Sequence, residues 1–255
     1  MCIMIINTNK CVNQFNEVFK MKKPIERINS ANSIKKVITS TNELLNNNLT
    51  LQCHVSQGNI KLDGIKNVSL PPVITCGANC KECKKYCYAI KSFNRLPNVR
   101  TAWVENYNLY LNNPGLYFGS IKTATAIERV FRWHVSGDII DYNYLIGMID
   151  VAERNDKCEY LAFTKQYKIV NNAIKNGVNI PNNLHLIFSA SPGVDMVNPY
   201  NLPECHISFE DATKNTYTNK FNYTYNCTGN CKECVVNGCG CFFLKNGDAV
   251  VINQH

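Results

Sequence analysis

Residues 130–138, VFRWHVSGD, form a β-like run that ends at a Ser-Gly-Asp turn, and this stretch sets the expected fold. Asp141 follows and can cap a helix that extends to Arg154. The next apolar run, residues 160–163, is again β-like. A strand, a helix and a second strand with short connections are typical of a right-handed βαβ unit, in which the two strands lie parallel in one sheet.

The same alternation continues outward in both directions. Residues 98–112 predict a helix that Pro114 and Gly115 are expected to end, and residues 166–176 predict another helix with its exit at Gly177. Residues 184–188 and 206–209 predict two further strands. We therefore predict an α/β fold, a partial (β/α) barrel with parallel strands and a Cys-rich C-terminal appendage.

Polar residues follow several of the predicted strands. Parallel α/β folds collect their functional groups at the carboxyl ends of the strands, so we expect these residues to meet at one edge. Three of them also have a structural interpretation: His134 as a core histidine, Asp138 as a helix cap and Lys165 as a solvated lysine. The candidate cofactor-binding residues are His134, Ser136, Gly137, Asp138, Thr164, Lys165 and Ser189.

Four cysteines with the spacing Cys-x3-Cys-x2-Cys-x3-Cys form the first cysteine set: Cys76, Cys80, Cys83 and Cys87. Structural zinc sites usually pair two Cys-x2-Cys knuckles a dozen or more residues apart, and these four residues are too close together for that. Short loops between thiolates suit a [4Fe-4S] cubane, so we favour iron–sulfur over zinc here.

The second cysteine set lies near the C-terminus and nearly repeats Gly-x-Asn-Cys-Lys-Glu-Cys: Cys227, Cys231, Cys234, Cys239 and Cys241. It predicts a second iron–sulfur cluster with one cysteine to spare, and zinc is the alternative at this site. Cys239 and Cys241 would point in opposite directions on a strand, so only one of them need be a ligand. Cys158 and Cys205 fall near strand starts and are interpreted as core residues.

The composition limits the possible compartment and partners. The chain has 255 residues, 14 cysteines and a net charge of +8. We expect a reducing, cytoplasmic environment and no membrane partner, because there is no export signal and no long apolar run. The modest basic charge is compatible with an anionic ligand or nucleic acid but diagnostic of neither.

The motifs together resemble a known family. Thr-Cys…Cys-Tyr-Ala (75–89), Phe-Arg-Trp-His-Val-Ser-Gly-Asp (131–138), Phe-Thr-Lys (163–165), Ile-Phe-Ser (187–189) and the terminal cysteine motif are similar to a phage and mobile-element family, the one named after bacteriophage gene product 88. The similarity runs from about Lys61 to His255. It implies a radical-enzyme-like (β/α) barrel with bound iron–sulfur and brings no established reaction. By resemblance it implicates Cys76, Cys83, Cys87, His134, Ser136, Gly137, Asp138, Thr164 and Lys165, and Cys80 less securely.

The first three cysteines, Cys-x3-Cys-x2-Cys, also have the spacing of radical S-adenosylmethionine enzymes, in which a Gly-Gly-Glu element contacts the methionine amino group. Ser136-Gly137-Asp138 resembles that element. Two features depart from that pattern: Glu82 stands where that family usually has an aromatic residue, and Cys87 is an extra thiol. Cys80, Cys83 and Cys87 are an alternative ligating set. If Cys87 is a fourth ligand, no iron is open to S-adenosylmethionine.

These observations predict three regions: an N-terminal helical segment (1–60) with helices near residues 12–19 and 34–38, a (β/α) barrel-like domain (61–220), and a cluster-binding segment (221–255). The first functional hypothesis is a redox or radical-type enzyme that uses an electron donor and an unidentified small-molecule or nucleic-acid substrate. The alternatives are a non-enzymatic iron–sulfur protein for electron transfer or sensing, and a zinc-binding nucleic-acid-binding module.

Overall fold

A computed structural model describes residues 28–47, 49–80, 82–190, 194–208 and 220–253. Residues 1–27 of the predicted N-terminal segment lie outside these ranges, and so does the helix predicted near residues 12–19. No helix in the described ranges is long and apolar enough to cross a membrane.

Helices and strands alternate through the middle of the chain. The described helices are α1 (Ala31–Leu45), α2 (Cys83–Tyr86), α3 (Tyr88–Arg95), α4 (Pro97–Asn112), α5 (Pro114–Thr125), α6 (Tyr142–Glu153), α7 (Tyr167–Lys175) and α8 (Cys231–Val236). The strands are β1 (Val55–Ser56), β2 (Asn67–Val68), β3 (Val130–Trp133), β4 (Glu159–Thr164), β5 (Leu184–Ser189), β6 (Glu204–Ser208), β7 (Thr224–Asn226) and β8 (Ala249–Asn253). Two short 3-10 turns cover Gly77–Cys80 and Cys241–Phe243.

The strands form one sheet in the order β1-β2-β3-β4-β5-β6-β8-β7. Only the β1–β2 pair is antiparallel; every other pair of neighbours is parallel. The α/β class and the parallel strands are therefore confirmed. Among the described residues β1 and β7 are the two edges, so the sheet is open and not a closed barrel.

The two faces of the sheet bury different partners. One face, which includes Phe131, Trp133 and Tyr160, packs with residues of α4, α5, α6 and α7 in the larger core. The opposite face, which includes Leu161 and Ile187, packs with residues of the C-terminal segment. Alternate residues of a strand point to opposite faces, which is why Tyr160 and Leu161 belong to different cores.

The C-terminal segment is part of the sheet itself. β8 pairs with β6 along five residues, from Glu204↔Ala249 to Ser208↔Asn253, and β7 then pairs with β8. The predicted Cys-rich appendage thus supplies the last two strands as well as the layer over one face.

Local sequence explains most helix ends. The carboxylate of Asp141 accepts a hydrogen bond from the backbone N–H of Tyr144 and caps α6, as predicted. The helix predicted over residues 98–112 is α4, which ends at Asn112, as predicted. Pro114, however, also begins a further helix. It occupies the first turn of α5, where its missing N–H is not needed, and Asn113 caps that helix by accepting from Leu116 N.

The described part of the N-terminal segment packs against α3 and α4. Val37 of α1 is fully buried with Ile90, Phe93 and Val104. The sequence predicts one apolar helical face with Ile34, Val37 and Ile38. Val37 and Ile34 belong to this core, but Ile38 is 40% exposed, so the predicted face is only partly correct.

Candidate functional site

Asp138 ties together the ends of two neighbouring strands. Its carboxylate accepts hydrogen bonds from Ile139 N (2.7 Å), Thr164 Oγ1 (2.6 Å) and Lys165 N (2.9 Å). Burial raises the pKa of this carboxyl, and the three donors act in the opposite direction. Asp138 thus connects the turn after β3 to the end of β4.

Gly137 allows this turn to lie close to the preceding chain. Its φ is +86°, and a Cβ there would lie 2.7 Å from Leu70 Cβ and 2.7 Å from Thr75 Oγ1. Leu70 N donates to the carbonyl of Ser136 at 2.9 Å. The segment that leads into the first cysteine set is therefore packed directly on the Ser-Gly-Asp turn, and only glycine fits there.

Lys165 brings a cation to the same edge. Its Nζ donates to Ser189 Oγ (3.1 Å), and the hydroxyl of Tyr167 donates to the carbonyl of Ser189. Burial lowers the pKa of Lys165, but the nearby Cys83 and Asp138 raise it, and the net direction is upward. Lys165 therefore remains charged beside Asp138 and the first cysteine set.

His134 lies apart from this group. With φ +54° it turns towards α6, where Nε2 lies 2.9 Å from the hydroxyl of Tyr144, which in turn lies 2.6 Å from that of Tyr117. Burial and then the charge of Arg132 lower the pKa of His134 to about 3, so the ring is neutral. The structure thus brings together Asp138, Thr164, Lys165 and Ser189, whereas His134 joins a buried tyrosine network. Ser136 is also buried, and its Oγ has no hydrogen-bond partner among the described residues.

The first cysteine set follows the chain around a tight loop. Cys76 precedes the first 3-10 turn, Cys80 ends it, Cys83 begins α2, and Cys87 separates α2 from α3. The pKa of Cys76 is raised by burial, then by Asp138, Cys87 and Cys80; that of Cys80 by burial and then by Cys83. The pKa of Cys87 is raised to about 11 by burial and then by Cys83. Each of these three pKa values is therefore raised by burial and by at least one other cysteine of the first set.

Hydrogen bonds attach this loop to the sheet edge. Asn79 Nδ2 donates to Lys165 O (2.7 Å), and Gln166 Nε2 donates to Cys76 O (2.9 Å). At the other end of the loop the N–H groups of Ile90 and Ala89 lower the pKa of the Cys87 thiol, and such donors stabilise a metal-bound thiolate. Sequence reasoning missed Asn79 and Gln166, because nothing local marks an amide that acts across 86 or more residues.

The second cysteine set is divided into two groups. The Cys234 thiol lies 2.9 Å from the Tyr225 hydroxyl, and Cys239 Sγ lies 3.9 Å from the same oxygen. The pKa of Cys241, by contrast, is raised well above its usual range by burial and then by Cys227, Cys205 and Cys231. These five cysteines therefore do not form one equivalent shell.

The described cysteines are free thiols, and cysteine sulfur is the donor that iron–sulfur clusters use. None of the twelve cysteines that the structure describes is in a disulfide. The described ranges contain no group of three or more His, Cys, Asp or Glu side chains arranged to hold a metal ion.

The family model for Gene product 88 matches residues 32–242. The chain belongs to this family. The Gene product 88 match begins within α1, earlier than the resemblance at Lys61 suggested, and includes both cysteine sets. No curated protein and no solved structure matches the chain. The family description carries no activity, so the function must be argued from the side chains.

Proposed function

We propose that the protein is an iron–sulfur redox protein, with a [4Fe-4S] cluster held by Cys76, Cys80, Cys83 and Cys87. Four cysteines in one loop that Asn79 and Gln166 attach to the carboxyl edge of the parallel sheet carry this proposal, and these cysteines raise one another's pKa values. An iron–sulfur cluster would supply one-electron chemistry at this edge.

The chain's own residues would hold and tune such a cluster. A four-thiolate cluster is anionic, and an anion near a buried cation is stabilised more strongly than in water. Lys165 supplies that cation, and its Nζ is oriented by Ser189 Oγ. Backbone N–H groups directed at Cys87 act in the same direction, since hydrogen bonds to sulfur help to set cluster potentials.

The arrangement supports electron transfer ahead of S-adenosylmethionine chemistry. S-adenosylmethionine needs one iron without a cysteine ligand, and the proposed four cysteine ligands would leave none. The Asp138 carboxylate, which would have to receive the methionine amino group, already accepts three hydrogen bonds from the chain. Asp138 then acts as a structural connection between strands. The partner is an electron donor or acceptor in a reducing, cytoplasmic compartment.

The test is anaerobic purification followed by iron, sulfide and zinc analysis and EPR of the reduced protein. We expect iron and sulfide in equal amounts, about four of each per occupied site, and a spectrum that S-adenosylmethionine does not change. Cys83→Ala should abolish the first site's contribution. Cys53→Ala, a half-buried cysteine outside both sets, is the matched control and should retain it.

Each other outcome is decisive. Zinc without iron, or neither metal after reconstitution, overturns the proposal. Iron with a spectrum that S-adenosylmethionine perturbs retains the cluster but overturns the closed, four-cysteine arrangement, and points to a radical-type enzyme.

A further inference from the structure

Cys205 occupies an unexpected position on β6. Its place at the start of that strand predicts a location far from the carboxyl edge. In the structure β6 is displaced along the sheet, so that Cys205 pairs with Ser189, the last residue of β5. Cys205 is fully buried and therefore a core residue, but it lies level with the strand end that carries the Lys165 contact.

The second cysteine set meets Cys205 on the same face of the sheet. Cys205 pairs with Val250 of β8, and Cys227 N donates to the carbonyl of the next residue, Val251, at 2.8 Å. Cys205 and Cys234 are buried members of one core, and Cys227, Cys231, Cys239 and Cys241 pack against it. Among the thiols, Cys227 raises the pKa of Cys205 the most. Cys205 in turn is one of the groups that raise the pKa of Cys241.

Cys234 and Cys239 are used differently. Both sulfur atoms contact the hydroxyl of Tyr225, and Thr228 Oγ1 also lies 3.5 Å from Cys234. A Cβ on Gly240 would lie 2.9 Å from Cys234 Cβ and 3.2 Å from its Sγ, so Cys234 is packed tightly beneath the Gly240 turn. Cys234 also raises the pKa of Cys231, but its own sulfur is held against the Tyr225 hydroxyl.

Arg132 is a half-buried cation on the same side of the sheet, and its Nε donates to the carbonyl of Trp133 at 3.2 Å. The positive charge of Arg132 lowers the pKa values of Cys205, Cys231 and Cys241. The guanidinium lies over the ring of Phe163, 4.3 Å from the centroid, and no carboxylate in the described ranges forms an ion pair with it. A half-buried cation without a carboxylate partner favours an anion nearby, because charge taken out of water needs compensation.

We propose that Cys205, Cys227, Cys231 and Cys241 hold a second iron–sulfur cluster, and that Cys234 and Cys239 are not its ligands. This assignment rests on the proposed iron–sulfur function and deepens it, since it adds a ligand from the sheet and removes two from the cysteine-rich segment. Arg132 and Lys165 would then lie beside thiolates of this site, with Lys165 also facing the first set.

The experiment isolates the second site. A Cys80→Ala/Cys83→Ala background removes the first cluster, and the protein is purified anaerobically and assayed for iron and sulfide. The background should retain about four irons per chain. Adding Cys205→Ala should reduce this at least fivefold, whereas adding Cys234→Ala should leave it unchanged. Cys158→Ala, a buried cysteine at the start of β4, is the control for loss of a core thiol.

A second measurement guards against simple misfolding of the Cys205→Ala variant. Cys205→Ser retains the size and an oxygen ligand, so we expect a cluster with shifted EPR features in the reduced protein. The Cys158→Ser spectrum should match that of the background. A merely structural Cys205 would leave the spectrum unchanged.

The outcomes separate the two proposals. Iron in the wild type but none in the background overturns the second cluster and leaves the first. Full iron in Cys205→Ala, or loss of iron in Cys234→Ala, overturns the ligand assignment alone. Absence of iron from the wild type overturns the iron–sulfur function and this assignment with it.

Discussion

The two cysteine sets begin from almost the same sequence and fold differently. Residues 77–83 read GANCKEC and residues 229–234 read GNCKEC. In the second copy Asn230 accepts a hydrogen bond from Glu233 N and caps α8, so the helix begins at Cys231. In the first copy the equivalent Asn79 donates to Lys165 O, and α2 begins only at Cys83.

The later cysteine of each copy also has different surroundings. In the first copy the later cysteine, Cys83, is a neighbour of Cys80 and Cys87. In the second copy the equivalent Cys234 likewise raises the pKa of Cys231, but its sulfur lies 2.9 Å from the Tyr225 hydroxyl. A local repeat therefore does not guarantee a repeated site, because the partner of one asparagine changes where the helix starts.

The largest effect should come from Gly137→Ala, which disturbs only the first set. The added Cβ meets Leu70 and Thr75 at 2.7 Å, and φ is +86°. We expect urea unfolding to show a loss of about 3 kcal/mol, from overpacking together with left-handed strain. The first set should also lose iron.

Gly229→Ala is the control for Gly137→Ala. Its φ is +90°, but nothing lies within 4 Å of the new Cβ, so strain alone should cost about 1 kcal/mol. Equal losses in the two variants would contradict the close packing at Gly137.

Gly240→Ala should disturb the second set and leave the first intact. The new Cβ lies 2.9 Å from Cys234 Cβ, and the backbone, at φ 81° and ψ −160°, is in a region reserved for glycine. We expect a loss of about 2 kcal/mol in unfolding free energy. Gly238→Ala, with φ +65° and open space, should lose less. A drop in first-set iron would show that the two regions are not independent.

His134→Gln tests whether His134 belongs to the helical core behind the first set. Burial lowers the pKa of His134 from 6.5 to about 3, so below pH 6.5 the unfolded chain binds a proton that the folded chain does not. Stability should therefore fall as the pH is lowered, by up to about 1.4 kcal/mol per pH unit from this group.

The measurement is urea unfolding of both proteins at pH 7.5 and pH 5. The decrease between the two should be about 2 kcal/mol smaller for His134→Gln. If both proteins show the same pH dependence, the pKa of His134 is not lowered, and His134 is not buried in the Tyr144 network.

The smallest effect compares the two asparagines directly. Asn79→Ala and Asn230→Ala should each cost about 1 kcal/mol, the first by losing its bond to Lys165 O and the second by losing a helix cap. Iron analysis should show weaker retention at the first set for Asn79→Ala only. Equal effects of both variants on the first set would remove the distinction between the copies.

Much of the fold was predictable where one local feature dominates. The helix after Asp141, the strands at 160–163 and 184–188, and the exit at Gly177 follow from capping, apolar runs and glycine, and all are observed. The start of α5 at Pro114 was missed, because proline ends one helix and begins another equally well. β7 and β8 were missed, because short strands among cysteines and glycines carry little periodicity.

The candidate site divides in the same way. The chain order of β3, β4 and β5 was enough to place Asp138, Thr164, Lys165 and Ser189 at one edge, because carboxyl ends of parallel strands share an edge. It was not enough to place His134, since a positive φ at that residue turns it to the helical side.

The sequence by itself determined the α/β class, the family and the two cysteine sets, because these depend on local pattern and spacing. Only the tertiary structure decided that the C-terminal segment completes the sheet, that β6 is displaced so that Cys205 pairs with Ser189, and that Asn79 and Asn230 have different partners. Strand register and long-range hydrogen bonds join residues far apart in the chain, and neither is encoded by neighbours in sequence.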